Sequence, residues 1–255
     1  AYNLCAGLLR AVGDSLAALY FLIIAAILNI LLDLYFITQL HLGVQSAGIA
    51  TIIAQGISAL LCLLYIRKKV PFLLPHRKDF VWDKELYQDL LSQGLAMGLM
   101  TSIVSIGTVI LQSAINQLGT TIISAQVAAR RIMSFAVLPI TAIASSITTF
   151  ISQNFGAEQF QRIKKGVTIA NLLSWVWSVL VAALLFFTSP SLTSFISGST
   201  NPDLIANASL YLQISSCFYP ILASLIILRN ALQGMGKKLT PLTSSFIELF
   251  GKIFF

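Results

Sequence analysis

Seven long apolar stretches run along this chain, and they constrain its fold more than any other feature. Each is close to or above the ~20 residues that an α-helix needs to cross about 30 Å of hydrocarbon. A soluble fold would have to bury seven apolar helices in one core and cover them with a polar surface. Only 10% of the residues are charged and the mean hydropathy is +0.86, so too few charged residues are present for such a surface. The pattern predicts an all-α fold, a polytopic transmembrane helical bundle with about seven spans, at residues 16–37, 44–66, 90–116, 120–150, 167–188, 204–228 and 239–255.

The basic residues between these stretches predict how the chain is threaded. Twelve of the sixteen Lys and Arg residues precede the first stretch or lie in every second gap, whereas the gaps near residues 40–43, 117–119 and 189–203 contain none. This is the bias of the positive-inside rule. We therefore expect a multi-pass protein of the plasma membrane, in contact with the lipid bilayer, with its long basic loops in the cytoplasm. Topology accounts for most of the net charge of +7, so no nucleic-acid partner is expected.

Side chains typical of enzymes and metal sites are sparse. The three cysteines, Cys5, Cys62 and Cys217, are isolated, and both histidines lie in gaps between the stretches. They do not have metal-ligand spacing, and no span carries paired carboxylates. We expect a protein that is not an enzyme, with no bound metal and no cofactor other than a coupling ion.

The long polar connection at residues 67–89 is the predicted boundary between two lobes, residues 1–66 and 90–255. Residues 81–91 have apolar side chains at helical spacing with mixed charges between them, which predicts a short interfacial helix leading into the third span. Parallel repeats are common in transporters. A weak internal repeat has a constant shift of 223 residues and relates Leu9, Gly13, Leu16, Leu19 and Ile24 to Leu232, Gly236, Leu239, Leu242 and Ile247.

Polar residues form a stripe on one face of the third stretch. They follow steps of three or four, and we call them the polar stripe: Gly94, Gly98, Thr101, Ser105, Thr108, Gln112 and Asn116. In one interpretation the small and hydroxyl residues permit close helix packing. In the other, Ser105, Thr108, Gln112 and Asn116 line a hydrated substrate path. The opposite face is expected to meet lipid, with Met97, Ile103, Ile106, Ile110 and Leu111.

The fourth stretch carries a similar set of polar residues, at Arg131, Ser134, Thr141, Ser145, Thr148 and Ser152. Because a short link joins the third and fourth stretches, their polar faces are expected to oppose each other or to line one cavity. Pro139 and Pro220 fall in the middle of their stretches, where each permits a bend.

Charged and strongly polar residues inside the stretches are candidate functional groups, because burying them in a membrane is costly. Arg130 and Arg131 lie about a third of the way along their helix from its outer end. Arg229 closes the sixth helix near the inner face, where it is expected to snorkel. Two further pairs are each one helical turn apart. They are Asn29 with Asp33, and Glu248 with Lys252, and the two residues of the second pair are expected to neutralise each other. Asp33 is nearer the outer interface, so an exposed carboxylate and a proton site are equal alternatives for it.

Several segments resemble the multidrug and toxic compound extrusion (MATE) family. GLLRAVGDS at residues 7–15, with residues 20–24 and 28–34, is similar to the junction of that family's fourth and fifth helices. Residues 94–99 resemble the start of its seventh helix, with Ala96 where proline is usual. Its later helices are matched by NQLGT at 116–120, AQVAARRI at 125–132, QNFGA at 153–157 and LRNALQGMG at 228–236.

This resemblance implies a two-lobed, twelve-helix efflux transporter of which this chain is a fragment, with the remaining helices of the full-length chain as its partners. The segment at 67–89 would be the cytoplasmic interlobe linker. Such transporters exchange Na⁺ or H⁺ for small amphipathic or cationic compounds by alternating access. Gln126 and Arg131, in the 125–132 motif, join the substrate-cavity candidates.

One departure from the family bears on coupling. Some branches carry acidic residues in the middle of their seventh and tenth helices, where this chain has Val104 and Leu222. A coupling site of that kind is therefore not expected in residues 90–255. Alanine at Asp33 or Glu248 is expected to weaken folding more than coupling.

Three functions remain open from the sequence. The leading interpretation is a secondary active exporter of organic cations, drugs or metabolites. The second is a flippase for lipid-linked oligosaccharides, in which Arg130 and Arg131 hold a diphosphate. The third is a membrane fragment that transports nothing.

Overall fold

The computed structural model describes residues 2–41, 43 and 45–254 of the chain. Every regular element in these ranges is helical, so the all-α prediction is confirmed. The α-helices found in the described ranges are α1 (Tyr2–Ala11), α2 (Ser15–Thr38), α3 (Gln45–Lys69), α4 (Lys84–Asn116), α5 (Thr120–Gly156), α6 (Phe160–Ser197), α7 (Pro202–Cys217), α8 (Tyr219–Gly234) and α9 (Leu239–Phe254).

Five of these helices, α2 to α6, are long and apolar enough to cross a membrane. The pair α7 and α8 reaches that length together but is bent by 54° at the break between the two helices, and it adds a sixth span if the pair is one span. The seventh predicted stretch corresponds to α9, which has 16 residues. The predicted boundaries at positions 44 and 255 lie outside the described residues.

The chain divides into two compact units, Ala1–Asp83 and Lys84–Phe255, here called unit 1 and unit 2. In unit 1, α1 packs on α2 and α3 through a core that includes Leu9, Cys62 and Ile66. Asp14 caps the start of α2, since its Oδ1 accepts from the amide of Ala17 at 3.1 Å. Its Oδ2 accepts from the Tyr65 hydroxyl at 2.8 Å, which ties that cap to α3.

The connection after α3 contains two short 3₁₀ turns, Pro71–Leu73 and Arg77–Asp79. The interfacial helix predicted at residues 81–91 is not a separate element, because α4 runs from Lys84 to Asn116 without a break. No proline interrupts this sequence, and single glycines inside a long helix are tolerated.

In unit 2, α5 packs against α6, α7 and α8, and α4 packs along α9. One core cluster lies around Ala129, Leu212 and Tyr219, and a second lies around Ile151 and Ile227. The second cluster lies where α5 and α8 come closest, and its small residues permit that approach.

The turns at Gly13 and Gly236, which the internal repeat relates, have the same local geometry. Both glycines have a positive φ, +91° at Gly13 and +73° at Gly236. In each turn the amide after the glycine donates to the carbonyl five residues earlier at 2.9 Å, the bond that closes a helix in the Schellman motif. The two turns therefore share backbone hydrogen bonds as well as sequence.

Pro139 and Pro220, the two prolines in the middle of predicted stretches, affect their helices differently. Near Pro220 the stretch breaks into α7 and α8, and Gln213 in the last turns of α7 donates to the carbonyl of Phe186 at 3.1 Å. At Pro139, α5 continues as one helix. The indole of Trp177 donates to the Ala136 carbonyl at 2.9 Å, next to the carbonyl that a proline at 139 leaves without its helical donor.

Candidate functional site

The polar stripe of α4 lies on a face that unit 2 leaves open. Ser105 and Asn116 are exposed, and Thr108 and Gln112 are half-buried. The Gln112 amide donates to Asn116 Oδ1 at 2.9 Å, so these two side chains satisfy part of each other's hydrogen bonding. The Thr108 hydroxyl donates to the carbonyl of Val104 in the preceding turn.

Another face of α4 packs on α9. Gly107 is buried there, and a Cβ at this position would lie 2.9 Å from Lys252 Cδ and 3.2 Å from Leu249 Cδ1. Ile103, one turn earlier, is 7% exposed, so its predicted position towards lipid is wrong. Ile106 and Ile110 are exposed.

The polar faces of α4 and α5 do not pack against each other along their length, because α4 contacts α5 only over a short stretch. On α5, the Ser152 hydroxyl donates to the Gly234 carbonyl of α8 at 2.9 Å, and Thr148 Oγ1 lies 3.1 Å from Asn230 Oδ1. These hydroxyls therefore contribute to packing between α5 and α8.

Arg131 and Arg130 lie in different surroundings. Arg131 is exposed and lines a cavity of about 440 Å³, with Ser124, Ser197 and Ser199 among the other lining residues. Arg130 is half-buried. The cavity has polar and apolar walls, and Arg131 is its cationic group within the described part of unit 2.

Gln126 is only 6% exposed, and neither of its side-chain amide atoms has a hydrogen-bond partner among the described residues. Buried hydroxyls on three further helices of unit 2 also have no partner in the described ranges. They were missed in the sequence, because isolated polar residues give little signal, and they are Ser174, Thr193, Ser209 and Tyr219. Such groups are costly in a dry interior.

Three charged residues of α8 and α9 form what we call the charged cluster. Arg229 Nη2 donates to Glu248 Oε2 at 3.2 Å and to the Ser244 hydroxyl at 3.1 Å. Lys252 Nζ donates to Glu248 Oε1 at 2.8 Å, so the predicted pair forms. The guanidinium of Arg229 therefore reaches across to α9, and its expected snorkelling stays a prediction.

In unit 1, a carboxylate of α2 lies one helical turn from a polar contact between α2 and α3. Asn29 Nδ2 of α2 donates to Thr51 Oγ1 of α3 at 3.3 Å. Asp33 lies one turn after Asn29 and is half-buried, and its Oδ1 is buried without a partner among the described residues. Thr51 was missed in the sequence, where nothing related it to Asn29. We call Asn29, Asp33 and Thr51 the α2–α3 polar group.

The family model described as MatE matches residues 96–255, more than half of the chain. The chain belongs to the MatE family. The probable multidrug resistance protein YpnP of Bacillus subtilis is 29% identical over 252 residues, covering 98% of this chain and 55% of that protein. The FAD transporter of Shewanella oneidensis is 27% identical, covering 94% of this chain and 54% of that protein.

Solved MATE structures have the same fold as this MatE chain. The Vibrio cholerae transporter VcmN in its bent form matches with a TM-score of 0.89 at 21% identity, over 97% of this chain and 56% of that one. An outward-facing MATE transporter of the MOP superfamily matches with a TM-score of 0.88 at 21% identity, over 98% of this chain and 56% of that one. The chain thus spans about half the length of its relatives, and the predicted helical-bundle fold is confirmed with five or six candidate spans in the described residues.

Proposed function

We propose that this MatE chain serves a secondary active transporter of the plasma membrane, which exports organic cations, drugs or metabolites in exchange for Na⁺ or H⁺ by alternating access. Its long basic loops lie in the cytoplasm. The family membership and the multidrug resistance relatives support the export of small molecules. The observation that carries the coupling is the carboxylate of Asp33.

A carboxylate oxygen buried at membrane depth without a partner is costly. The cost falls when the oxygen holds a proton or a cation. One carboxylate oxygen of Asp33, in α2, is buried without a partner among the described residues, whereas both oxygens of Glu248 are already bound by cationic side chains. Asp33 is therefore the group in the described helices best suited to exchange an ion during transport.

The neighbours of Asp33 supply further oxygen atoms. Asn29 contributes a side-chain carbonyl and Thr51 a hydroxyl, and the two side chains are in contact at 3.3 Å. Hard cations are bound by carboxylate, carbonyl and hydroxyl oxygens together. Sodium would use the whole α2–α3 polar group, whereas a proton needs Asp33 only.

The transported solute would pass along the open face of α4. Ser105, Thr108, Gln112 and Asn116 provide hydrogen-bonding groups there, and Gln126 and Arg131 are the candidates on α5. An amphipathic compound would contact the adjacent apolar side chains as well.

The test is efflux of a fluorescent organic cation from cells expressing the complete reading frame, with a protonophore or with the Na⁺ gradient removed. We expect faster efflux than in control cells and its loss with one of the two gradients. Asp33→Asn should abolish gradient-driven efflux without reducing the amount of protein in the membrane. Asp203→Asn, at an exposed carboxylate in the first turn of α7, is the matched control and should behave as wild type.

Alanine at Asn29 and valine at Thr51 then distinguish the ions. If Na⁺ is bound, both variants should raise the Na⁺ concentration needed for half-maximal efflux. If H⁺ is bound, they should leave the dependence on the pH gradient nearly unchanged. Coupled efflux that survives in Asp33→Asn would refute the assignment of Asp33.

The cavity beside Arg131 favours one second candidate, a flippase for lipid-linked oligosaccharides. A cation lining a cavity of about 440 Å³ together with serine hydroxyls suits a diphosphate. Binding of a lipid diphosphate to the full-length protein, lost in Arg131→Gln, would favour this function over drug export. No binding, together with coupled efflux of the organic cation, would exclude it.

A further inference from the structure

Cations outnumber carboxylates among the intramembrane residues of unit 2. Three basic residues, Arg130, Arg131 and Lys252, lie inside its predicted spans, Arg229 directly follows the sixth, and Glu248 is their acidic counterpart. The other carboxylates of unit 2 lie at helix ends or in turns, at Glu85, Asp89, Glu158 and Asp203. A charge inside a membrane needs a counter-charge, so this part of the protein has unmet affinity for anions.

The excess is concentrated at the charged cluster. Glu248 accepts from Arg229 with one oxygen and from Lys252 with the other, so a single carboxylate serves two cations. An ammonium has three N–H donors, and Glu248 takes one of those of Lys252. Arg229 Nε is buried and has no partner among the described residues. The cluster therefore keeps donors and one positive charge for a further acceptor.

The packing of α4 positions Lys252. Its aliphatic stem lies over Gly107, where even a Cβ would approach Lys252 Cδ to 2.9 Å. Lys252 lies about 20 Å along the helix axis from the start of α9, within the ~30 Å thickness of hydrocarbon. Its side chain is 25% exposed, so part of Lys252 is accessible although its stem is packed against α4.

We propose that Arg229 and Lys252 form a subsite for an anionic group, a carboxylate or a phosphate, on the exported solute. The inference rests on the proposed export function and specifies its substrate class as amphipathic compounds that carry such a group. Before the solute arrives, Glu248 holds both cations. When the anionic group enters, two acceptors face two cations and the charges balance. When it leaves, Glu248 again accepts from both side chains.

This arrangement makes Glu248 a competitor of the solute's anionic group. Lys252→Gln should weaken the binding of the anionic group, because one charge-assisted contact is lost. Glu248→Gln should strengthen it, because both cations are released from the carboxylate. Opposite effects at two residues in contact distinguish a binding site from an ion cluster that only supports the fold.

The experiment compares rhodamine B, which has a free carboxylate, with its ethyl ester, which does not. The full-length protein is purified and reconstituted in phosphatidylcholine vesicles, and both the export and the equilibrium binding of each dye are measured. The readout is the ratio of the value for rhodamine B to the value for its ester, taken once for export and once for binding. Lys252→Gln should lower that ratio about tenfold, the effect of losing one charged contact. Lys252→Arg, which keeps the charge, should restore most of it, and Glu248→Gln should raise it.

The matched control is Lys237→Gln, the same substitution at an exposed residue of the α8–α9 turn, which should keep the wild-type ratio. Equal ratios in wild type and Lys252→Gln, with both dyes exported, would overturn the subsite and leave the export function standing. A lowered binding ratio in Lys252→Gln with no export of either dye would support the subsite and refute export.

The same measurements in vesicles containing phosphatidylglycerol separate the solute from a lipid headgroup. We expect the difference between wild type and Lys252→Gln to persist. If phosphatidylglycerol removes it, the bound phosphate belongs to the lipid, and the assignment to the exported solute is overturned.

Discussion

Asp33 and Glu248 are both carboxylates within apolar helices, and their surroundings give them different roles. Glu248 accepts from two cations and lies between α8 and α9. Asp33 has a buried oxygen that lacks a partner in the described part of unit 1. Removing Glu248 leaves two cations uncompensated, whereas removing Asp33 breaks no ion pair. The sequence-based expectation that alanine would mainly affect folding stays a prediction for both residues, and the coupling role that we propose for Asp33 is the alternative to it.

Glu248→Ala should lower the free energy of unfolding by about 1–3 kcal/mol, because Arg229 and Lys252 lose their shared acceptor. The measurement is the thermal unfolding of the purified full-length protein. Asp33→Ala is the comparison and should unfold close to the wild-type temperature. A Glu248→Ala protein that unfolds normally but has lost ion-driven transport would show that Glu248 couples rather than stabilises.

Helices α5 and α8 are held together by a close approach of their backbones at Gly234. A Cβ there would lie 2.7 Å from the Thr148 carbonyl oxygen and 3.2 Å from two side-chain atoms of Ile151. Since the nearest atom belongs to the backbone, the helices would have to separate to admit a methyl group. Gly98 of α4, by contrast, faces open space within unit 2.

Gly234→Ala should destabilise the protein by about 1–3 kcal/mol through overpacking. Gly98→Ala is the matched control, and alanine's higher helix propensity should leave stability unchanged or improve it by up to ~1 kcal/mol. Thermal unfolding of the two variants is the measurement. Equal stability of both would mean that α5 and α8 are not in close contact at Gly234.

We predict that the open face of α4 is accessible to water. Single cysteines at Ser105 and Gln112, in a background without the native cysteines, should react with a water-soluble thiol reagent. Cysteines at Ile106 and Ile110 face the other way and should be protected by lipid. Labelling confined to the Ile106 and Ile110 positions would show that the polar stripe does not line a hydrated path.

At the scale of the whole molecule, the alternation of basic gaps sets the topology. The turn between α5 and α6 is followed by basic residues, whereas the links between α4 and α5 and between α6 and α7 have none. If α5 and α6 each cross the membrane once, the α4–α5 and α6–α7 links open on one side and the α5–α6 turn opens on the other, because each crossing changes the side.

An impermeant thiol reagent applied to intact cells should therefore label cysteines at Gln117 and Ser199. Cysteines at Lys78 and Glu158 should be labelled only after the membrane is opened, because the proposed orientation places the basic loops in the cytoplasm. The cysteines expected outside and those expected inside are tested with the same reagent in the same cysteine-free protein, so a difference in labelling reports the side of the membrane. Labelling of Glu158→Cys in intact cells would reverse the proposed orientation.

The apolar stretches determined the helices and the membrane class of this protein without any tertiary information. Transfer into hydrocarbon depends on each residue's own apolar surface, and helical spacing follows from the geometry of one helix, so both can be recognised in a sequence. The polar stripe of α4 and the Glu248–Lys252 pair are local patterns of this kind. The MatE resemblance likewise rested on residues that are close along the chain.

Only the tertiary structure decided which helices are partners and which polar groups are satisfied. It paired α4 with α9 rather than α5, brought Arg229 to Glu248 nineteen residues later, and brought Asn29 to Thr51. It also left an oxygen of Asp33 buried without a partner in the described part of unit 1. Such pairings depend on the relative rotation and distance of whole helices, which many side chains set together, so no local pattern in the sequence specifies them.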